Sequence, residues 1–372
     1  MKDDVITVAA RITDRGSGIG RIEWRVNGVT TAVRTPTAEK NAESNFEQTL
    51  ALDPGANTIE VIAYERRNIL ASLPARTSVA LDAATDRIKP TLHILAIGIN
   101  DYTDKGWTPP GSLDTLRFPP LLLAANDAKS FVAKMQQAGS GLYGDVRVAL
   151  ALDSQAAKSK LHELVEDLAR KVHPRDTFVL FAAAHGYSTD GRFYLIPQDF
   201  QGGPDPQALA SRAIGQDHLQ DWVSNHIKAR KAIILLDTCE SGALVSGYTR
   251  SRTDLPASEA AIGRLHEATG RSVLTAAASG KPAWEGYNGH GVFTYALMDA
   301  LRRADINSNG LIELSELVSH VQAVVPTFSS EVQGPAADKG GAVIAVRGFN
   351  KDKQSAHFGT TGEDFAVVNR LP

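Results

Sequence analysis

One cysteine occurs in 372 residues, Cys239, and it closes an apolar run in KAIILLDTCESGA (231–243). A second apolar run, DTFVLFAAAH, ends 54 residues earlier in His185 and is followed by Gly186. A thiol attacks a carbonyl as its thiolate, and a neighbouring imidazole lowers the thiol pKa or takes its proton as attack begins. Small residues beside each, Gly186 on one side and Ser241-Gly242 on the other, leave backbone N–H groups open to a developing oxyanion. A lone cysteine is more often a small buried hydrophobe, and a strand-end histidine is more often held by a carbonyl. The coincidence of both at the ends of apolar runs favours a thiol hydrolase over either of these.

Such chemistry needs two strands side by side, and the chain supplies them. LHILAIGI (92–99), DVRVALAL (145–152), DTFVLFAAAH (176–185), KAIILLD (231–237) and SVLTAAAS (272–279) are near-continuous apolar runs, as parallel strands covered on both faces should be. Leu161, Leu164, Val165, Leu168 and Val172 make one helical stripe. Leu219, Trp222, Val223 and Ile227 make another, with Asp217 as its expected N-cap and Gln220 as the reciprocal partner. The alternation predicts an α/β domain with a mainly parallel sheet flanked by helices. Reactive groups in such sheets gather at the carboxyl ends of strands, where both Cys239 and His185 fall.

Residues 5 to 82 differ in texture. IEWRVNG and TIEVIAYE alternate apolar and polar residues and are separated by turn residues, which predicts a small Ig-like β-sandwich. RGSGIG (15–20) has the glycines of a dinucleotide loop, but a strand rather than a helix follows it, so nucleotide binding is set aside. The expected division is a sandwich over 1–84, a linker over 85–91, a catalytic domain over 92–350 and a C-terminal extension over 351–372. A net charge of −3 provides no field for nucleic acid, and one cysteine cannot form an internal disulfide. No apolar run is long enough to span a bilayer, and the first residues do not read as a signal peptide, so no membrane partner and a cytoplasmic location are expected.

With HILAIGINDY, ANDAKSF (125–131), AHG, DTCESG and GHGVFTYALMDAL (289–301) in this order, the chain resembles the caspase-like cysteine proteases, more closely their bacterial orthocaspase and metacaspase-like branch. The resemblance spans most of 91–347. It implies His185 as general base, Cys239 as nucleophile, and the Gly186 and Cys239 backbone amides as the oxyanion hole. It departs from the metacaspase pattern at Glu240, where histidine is usual, and at Ala183 and Ala184, where serine or glycine often precedes the histidine. The metacaspase branch carries an acid two residues before the cysteine, which here is Asp237. Such a carboxylate in a pocket would pair with a substrate Arg or Lys. Asp101, after another strand end, is the candidate for a second acid.

DINSNGLIELSE (305–316) matches a calcium-loop pattern through Asp305, Asn307, Asn309 and Glu316, so calcium is the one ion considered, with no cofactor required for the thiol chemistry. Segment 246–271 is polar and carries Arg250, Arg252, Arg264 and Arg271. In caspase-like folds the corresponding linker is a common cleavage site, which makes Arg250 and Arg252 candidates for self-processing. The expected function is an endopeptidase acting on protein or peptide substrates after basic residues, with the sandwich positioning it or binding a protein partner. The competing expectation is a catalytically silent caspase-like adaptor in a larger assembly.

Overall fold

The computed structural model describes residues 5–34, 36, 43–53, 55–67, 69–81, 89–189, 191–229, 231–239, 263, 266, 271–276, 283–332, 354–359 and 364–372. The N-terminal part is all-β. Strands β1 (Val5–Thr13) and β4 (Glu43–Ala51) form an antiparallel pair. A separate four-stranded sheet runs in the order β3 (Val29–Arg34), β2 (Ile19–Val26), β5 (Gly55–Glu65), β6 (Ala75–Leu81). Trp24, Ile22, Leu50 and Ile59 fill the space between the two sheets. The alternation in the sequence therefore produces a small two-sheet domain around its own core.

The second part is built on parallel strands β7 (Thr91–Gly98), β8 (Asp145–Leu152), β9 (Thr177–Thr189), β12 (Lys231–Cys239) and β13 (Ser272–Thr275). Their lateral order is β8-β7-β9-β12-β13, every pairing parallel. The end of β9 runs on past β7 and pairs antiparallel with β10 (Arg192–Leu195), which in turn pairs with β11 (Ile214–Gly215). One face of the sheet is covered by α1 (Ala124–Gly139), and by two later helices, α5 (Val292–Arg303) and α6 (Leu314–Val332). The other is covered by α2 (Lys158–Ala169), α3 (Pro206–Arg212) and α4 (Gln216–Gln220), the last continuing into a π-type turn, Asp221–His226. Two covered faces explain why the strands are apolar throughout rather than alternating. The fold is thus mixed α/β, with a mainly parallel central sheet flanked by helices and an extra all-β part in front.

One expectation is corrected. Asp217 is not an N-cap: α4 starts after Gly215, and Asp217 instead pairs with Arg192 at 3.4 Å. The described residues of the C-terminal stretch, 354–359 and 364–372, pack against the rest of the fold. Strand β17 (His357–Gly359) adds an antiparallel edge to β13, and β18 (Ala366–Asn369) pairs with β16 (Leu311–Glu313). Val367, Val368 and Leu371 are buried in the core under α1, α5 and α6, and Tyr143 Oη donates to the Val367 carbonyl at 2.7 Å. Both strands are too short to show a period in the sequence, so only their burial reveals them.

The all-β part is fastened to the sheet by a buried arginine. Arg271, directly before β13, is 3% exposed. Its guanidinium donates to the Val223 carbonyl in the π-type turn at 3.0 Å and to the Thr31 carbonyl of β3 at 3.2 Å. The candidates for self-processing in the 246–271 segment, Arg250 and Arg252, lie outside the described residues.

Candidate active site

The register of the two central strands is the first fact about the site. In the parallel pairing of β9 and β12, Lys231 stands opposite Thr177 and the ladder continues without a bulge to Cys239 opposite His185. Neighbouring strands lie about 4.8 Å apart, so the two residues are placed side by side at the carboxyl edge. Gly186, next along, is required by close approach. A Cβ there would lie 2.8 Å from Thr238 Oγ1, 2.9 Å from Thr238 Cβ and 3.0 Å from Phe193 Cε2.

His185 is 2% exposed and held on every side that is described. Its backbone N–H donates to Tyr102 Oη at 2.8 Å, and its ring Nε2 donates to the Pro119 carbonyl at 2.7 Å. The rings of Tyr102 and Phe118 lie 4.7 and 5.6 Å from the imidazole, centroid to centroid. Burial pushes its pKa down to about 4, against smaller upward pulls from the Pro119 carbonyl and the Asp104 charge. The ring is therefore neutral near pH 7. With Nε2 carrying the proton bonded to Pro119, Nδ1 is the basic nitrogen.

Beside His185 opens a cavity of about 280 Å³. Its walls are largely apolar: Ala183 and Ala184 of β9, Pro119 to Leu122, and Trp284. Into this apolar setting come three carboxyls, Asp237 of β12, Asp127 in the first turn of α1 and Glu285 at the start of β14 (Glu285–Tyr287). Asp237 Oδ2 accepts from the Thr294 backbone N–H at 3.2 Å and from the Thr294 hydroxyl. Asp127 Oδ2 accepts from the Gly291 N–H at 2.9 Å, and its Oδ1 lies 2.7 Å from His290 Nδ1. Gly291, in the two-residue strand β15 (His290–Gly291), is squeezed between the pair: a Cβ there would lie 2.8 Å from Asp237 Oδ2 and 3.0 Å from Asp127 Oδ2. The Glu285 oxygens accept from the Leu122 and Leu123 amides at 3.3 and 3.4 Å.

Three carboxyls in an apolar cavity do not all ionise freely. Burial, then the charge of Asp127, raises the Asp237 pKa well above its ordinary value; burial also raises Asp127, with Glu285 adding to the shift. Burial raises Glu285 as well, opposed by its two amide bonds. With like charges facing one apolar space, the group keeps a proton near neutral pH that separate carboxyls would lose.

Asp237 therefore lies where the sequence places it, but Asp101 does not. Asp101 is exposed, its amide is bound to Asp153 Oδ1 and its carbonyl to Gln198, and it is not part of the cavity. The companions of Asp237 are Asp127 and Glu285 instead. Asp127 sits inside the ANDAKSF motif, where an acid in the first helical turn reads as complementing the helix dipole. The Asp305 loop closes on itself. Glu316 accepts from the amides of Ile306, Asn307 and Glu313, and Asp305 from those of Asn309 and Gly310, while Asn307 and Asn309 bond to neighbouring groups in the loop. Among the described residues no group of three or more His, Cys, Asp or Glu side chains is arranged to hold a metal ion.

Comparison with known proteins returns solved structures and one family. Caspase-1 from Spodoptera frugiperda aligns at 15% identity and a TM-score of 0.41, over 73% of this chain and 86% of that one. The protein GSU0716 from Geobacter sulfurreducens aligns at 14% identity and a TM-score of 0.42, over 74% of this chain and 94% of that one. No curated protein is matched. The caspase domain model matches residues 92–353, a span that contains the β9–β12 edge, the acid cavity and most of the helices around them, and the chain belongs to the caspase domain family.

Proposed function

We propose that the chain is a cysteine endopeptidase that cleaves after Arg or Lys, with Cys239 and His185 as its dyad. The observation that carries the specificity is the cavity beside His185, in which Asp127, Asp237 and Glu285 face an otherwise apolar space. A basic side chain entering it exchanges water for charge-assisted bonds and displaces the proton that the raised carboxyls of Asp127 and Asp237 retain. An acidic side chain would meet three carboxyls.

In the proposed reaction the Cys239 thiol gives its proton to His185 Nδ1 as the sulfur attacks the scissile carbonyl. The negative charge that develops on the carbonyl oxygen is met by backbone amides at Gly186 and Cys239. Collapse breaks the C–N bond, the amine leaves with the proton from His185, and a thioester remains. Water, deprotonated by the same imidazole, then attacks the thioester and restores the thiol. Because His185 is neutral at rest, the dyad starts as thiol and imidazole rather than as an ion pair.

Fluorogenic peptides ending in Arg, Lys, Asp or Asn test this directly, with Cys239→Ala as control. Turnover of Arg and Lys peptides only, lost in the control, is expected. Preferred cleavage after Asp would reject the cavity assignment, and no turnover of any peptide would favour the silent adaptor. Intact-mass measurement of the incubated protein checks whether it cuts itself after Arg250 or Arg252.

A further inference from the structure

Residues 100–123, between β7 and α1, form neither helix nor strand apart from a single bridge between Trp107 and Leu116. This loop nevertheless supplies the groups that hold His185: Tyr102 Oη, the Phe118 ring and the Pro119 carbonyl. A loop of this length keeps one shape only if something inside it is pinned. The pin is Asp104, which is 7% exposed and otherwise unused by the dyad or the cavity. Its Oδ1 accepts from the amides of Gly106, Gly202 and Gly203 at 3.0, 2.9 and 3.1 Å, and its Oδ2 from the Phe118 amide at 3.0 Å.

The surrounding backbone is shaped for that carboxylate. Gly106 and Gly203 have φ of +85° and +54°, and a Cβ on either would lie 2.6 or 2.3 Å from the Leu116 carbonyl oxygen. Only glycine permits both the conformation and the approach. The Phe118 amide bound by Asp104 belongs to the residue directly before Pro119, the carbonyl that receives the His185 Nε2 proton.

We propose that Asp104 is the positioning carboxylate of the dyad, fixing the Pro119 carbonyl against His185 Nε2 through the Phe118 amide and so selecting the tautomer that presents Nδ1 as the base. It acts through a loop rather than by touching the imidazole, and its charge also favours protonation of the ring, opposing the effect of burial. The proposal rests on the dyad reading above, so its test includes a measurement that does not need turnover.

Asp104→Asn keeps the volume but turns an NH2 group toward amide donors, which breaks at least one of the four bonds. In the full-length protein we expect kcat to fall at least about tenfold with KM little changed, and the acidic limb of the kcat profile to move to lower pH because a favourable charge is gone. Ring ¹⁵N spectra of histidine-labelled protein should show one Nε2-protonated signature for His185 in the parent and mixed tautomers in the variant. Asp104→Glu, which keeps the charge but displaces it, should leave the acidic limb in place while still weakening the Nε2 signature. It also covers the case in which the Asn variant does not fold. An unchanged ring signature in a folded variant overturns the proposal, as does a loss of kcat that follows melting temperature with the pH limb unmoved. If the parent cleaves no peptide, the dyad reading fails while the ring spectra still decide the role of Asp104.

Discussion

Replacing Asp237 by Asn should make the protein more stable and much less active. Burial and the neighbouring Asp127 push the Asp237 carboxyl up to about 8. An unfolded aspartate ionises near 3.9, so between roughly pH 4 and 8 the folded chain keeps a proton that the unfolded chain has released. The sign follows: a raised carboxyl favours folding least at high pH, and this deficit grows as pH climbs and is full near pH 8. Each pKa unit is worth about 1.4 kcal/mol, and with one proton shared between two carboxyls the deficit is on the order of 3–5 kcal/mol. An Asn carbonyl can still accept from the Thr294 amide and hydroxyl, and its NH2 group can face Asp127. At about 2–4 °C per kcal/mol for a domain of this size, melting at pH 8 should rise by roughly 6 °C or more, and at pH 5 the gain should mostly vanish. Cleavage after Arg should lose about 2–5 kcal/mol of transition-state binding, a fall in kcat/KM of roughly thirty- to several-thousand-fold. Scanning calorimetry across pH, run beside Arg-peptide kinetics, measures both. A gain equal at pH 5 and pH 8 would refute the shared-proton reasoning, and an unchanged kcat/KM would refute the role of Asp237 in binding the cation.

Four further outcomes are expected. KM for an Arg peptide should fall as pH rises from 6 toward 8, because binding the cation displaces the proton held by Asp127 and Asp237; a flat KM across that range would contradict it. Alkylation of Cys239 by iodoacetamide should accelerate near the ordinary thiol range, about pH 8 to 9, since the buried imidazole is neutral; fast alkylation at pH 5 would mean a preformed ion pair. Gly186→Ala should cost about 1–3 kcal/mol in denaturant unfolding and most of the activity, because its Cβ meets Thr238 and Phe193. Millimolar calcium should leave the melting temperature unchanged while Glu316 is occupied by three backbone amides; a rise that Glu316→Gln abolishes would make the loop a calcium site.

The parts legible in the sequence are those with a period or a singular residue. Apolar runs such as 231–237 announce covered strands, and each covered strand must end at an edge, so Cys239 and His185 could be placed before any pairing was known. Asp237 followed from the resemblance to the metacaspase-like branch, which carries an acid two residues before the cysteine. What stayed hidden depends on contacts between distant segments. Asp127 meets Asp237 only because α1 packs over β7 and β9 and brings its first turn to Gly291, which both carboxyls approach, and Glu285 reaches the cavity only where its oxygens meet the Leu122 and Leu123 amides. Asp101 looked equivalent because it too follows a strand end, but the chain turns there and leaves it in solvent. Asp104, three residues on, resembles any loop acid until four amides are seen to converge on it.

The β9–β12 ladder also sets a timetable. The ribosome delivers His185 before Cys239, and Thr294, which holds Asp237, comes later still. At about 5–20 residues per second, His185 precedes Thr294 by roughly 5–20 s. Throughout that interval the nascent chain has strand β9 without the full set of partners that complete the β9–β12 edge. Pairing segments so far apart is among the slow steps of folding, since a long loop must close before its contacts repay the entropy. The parallel crossover thus acts as a delay line, holding the β9 and β12 ends apart until the segments that flank them have been made.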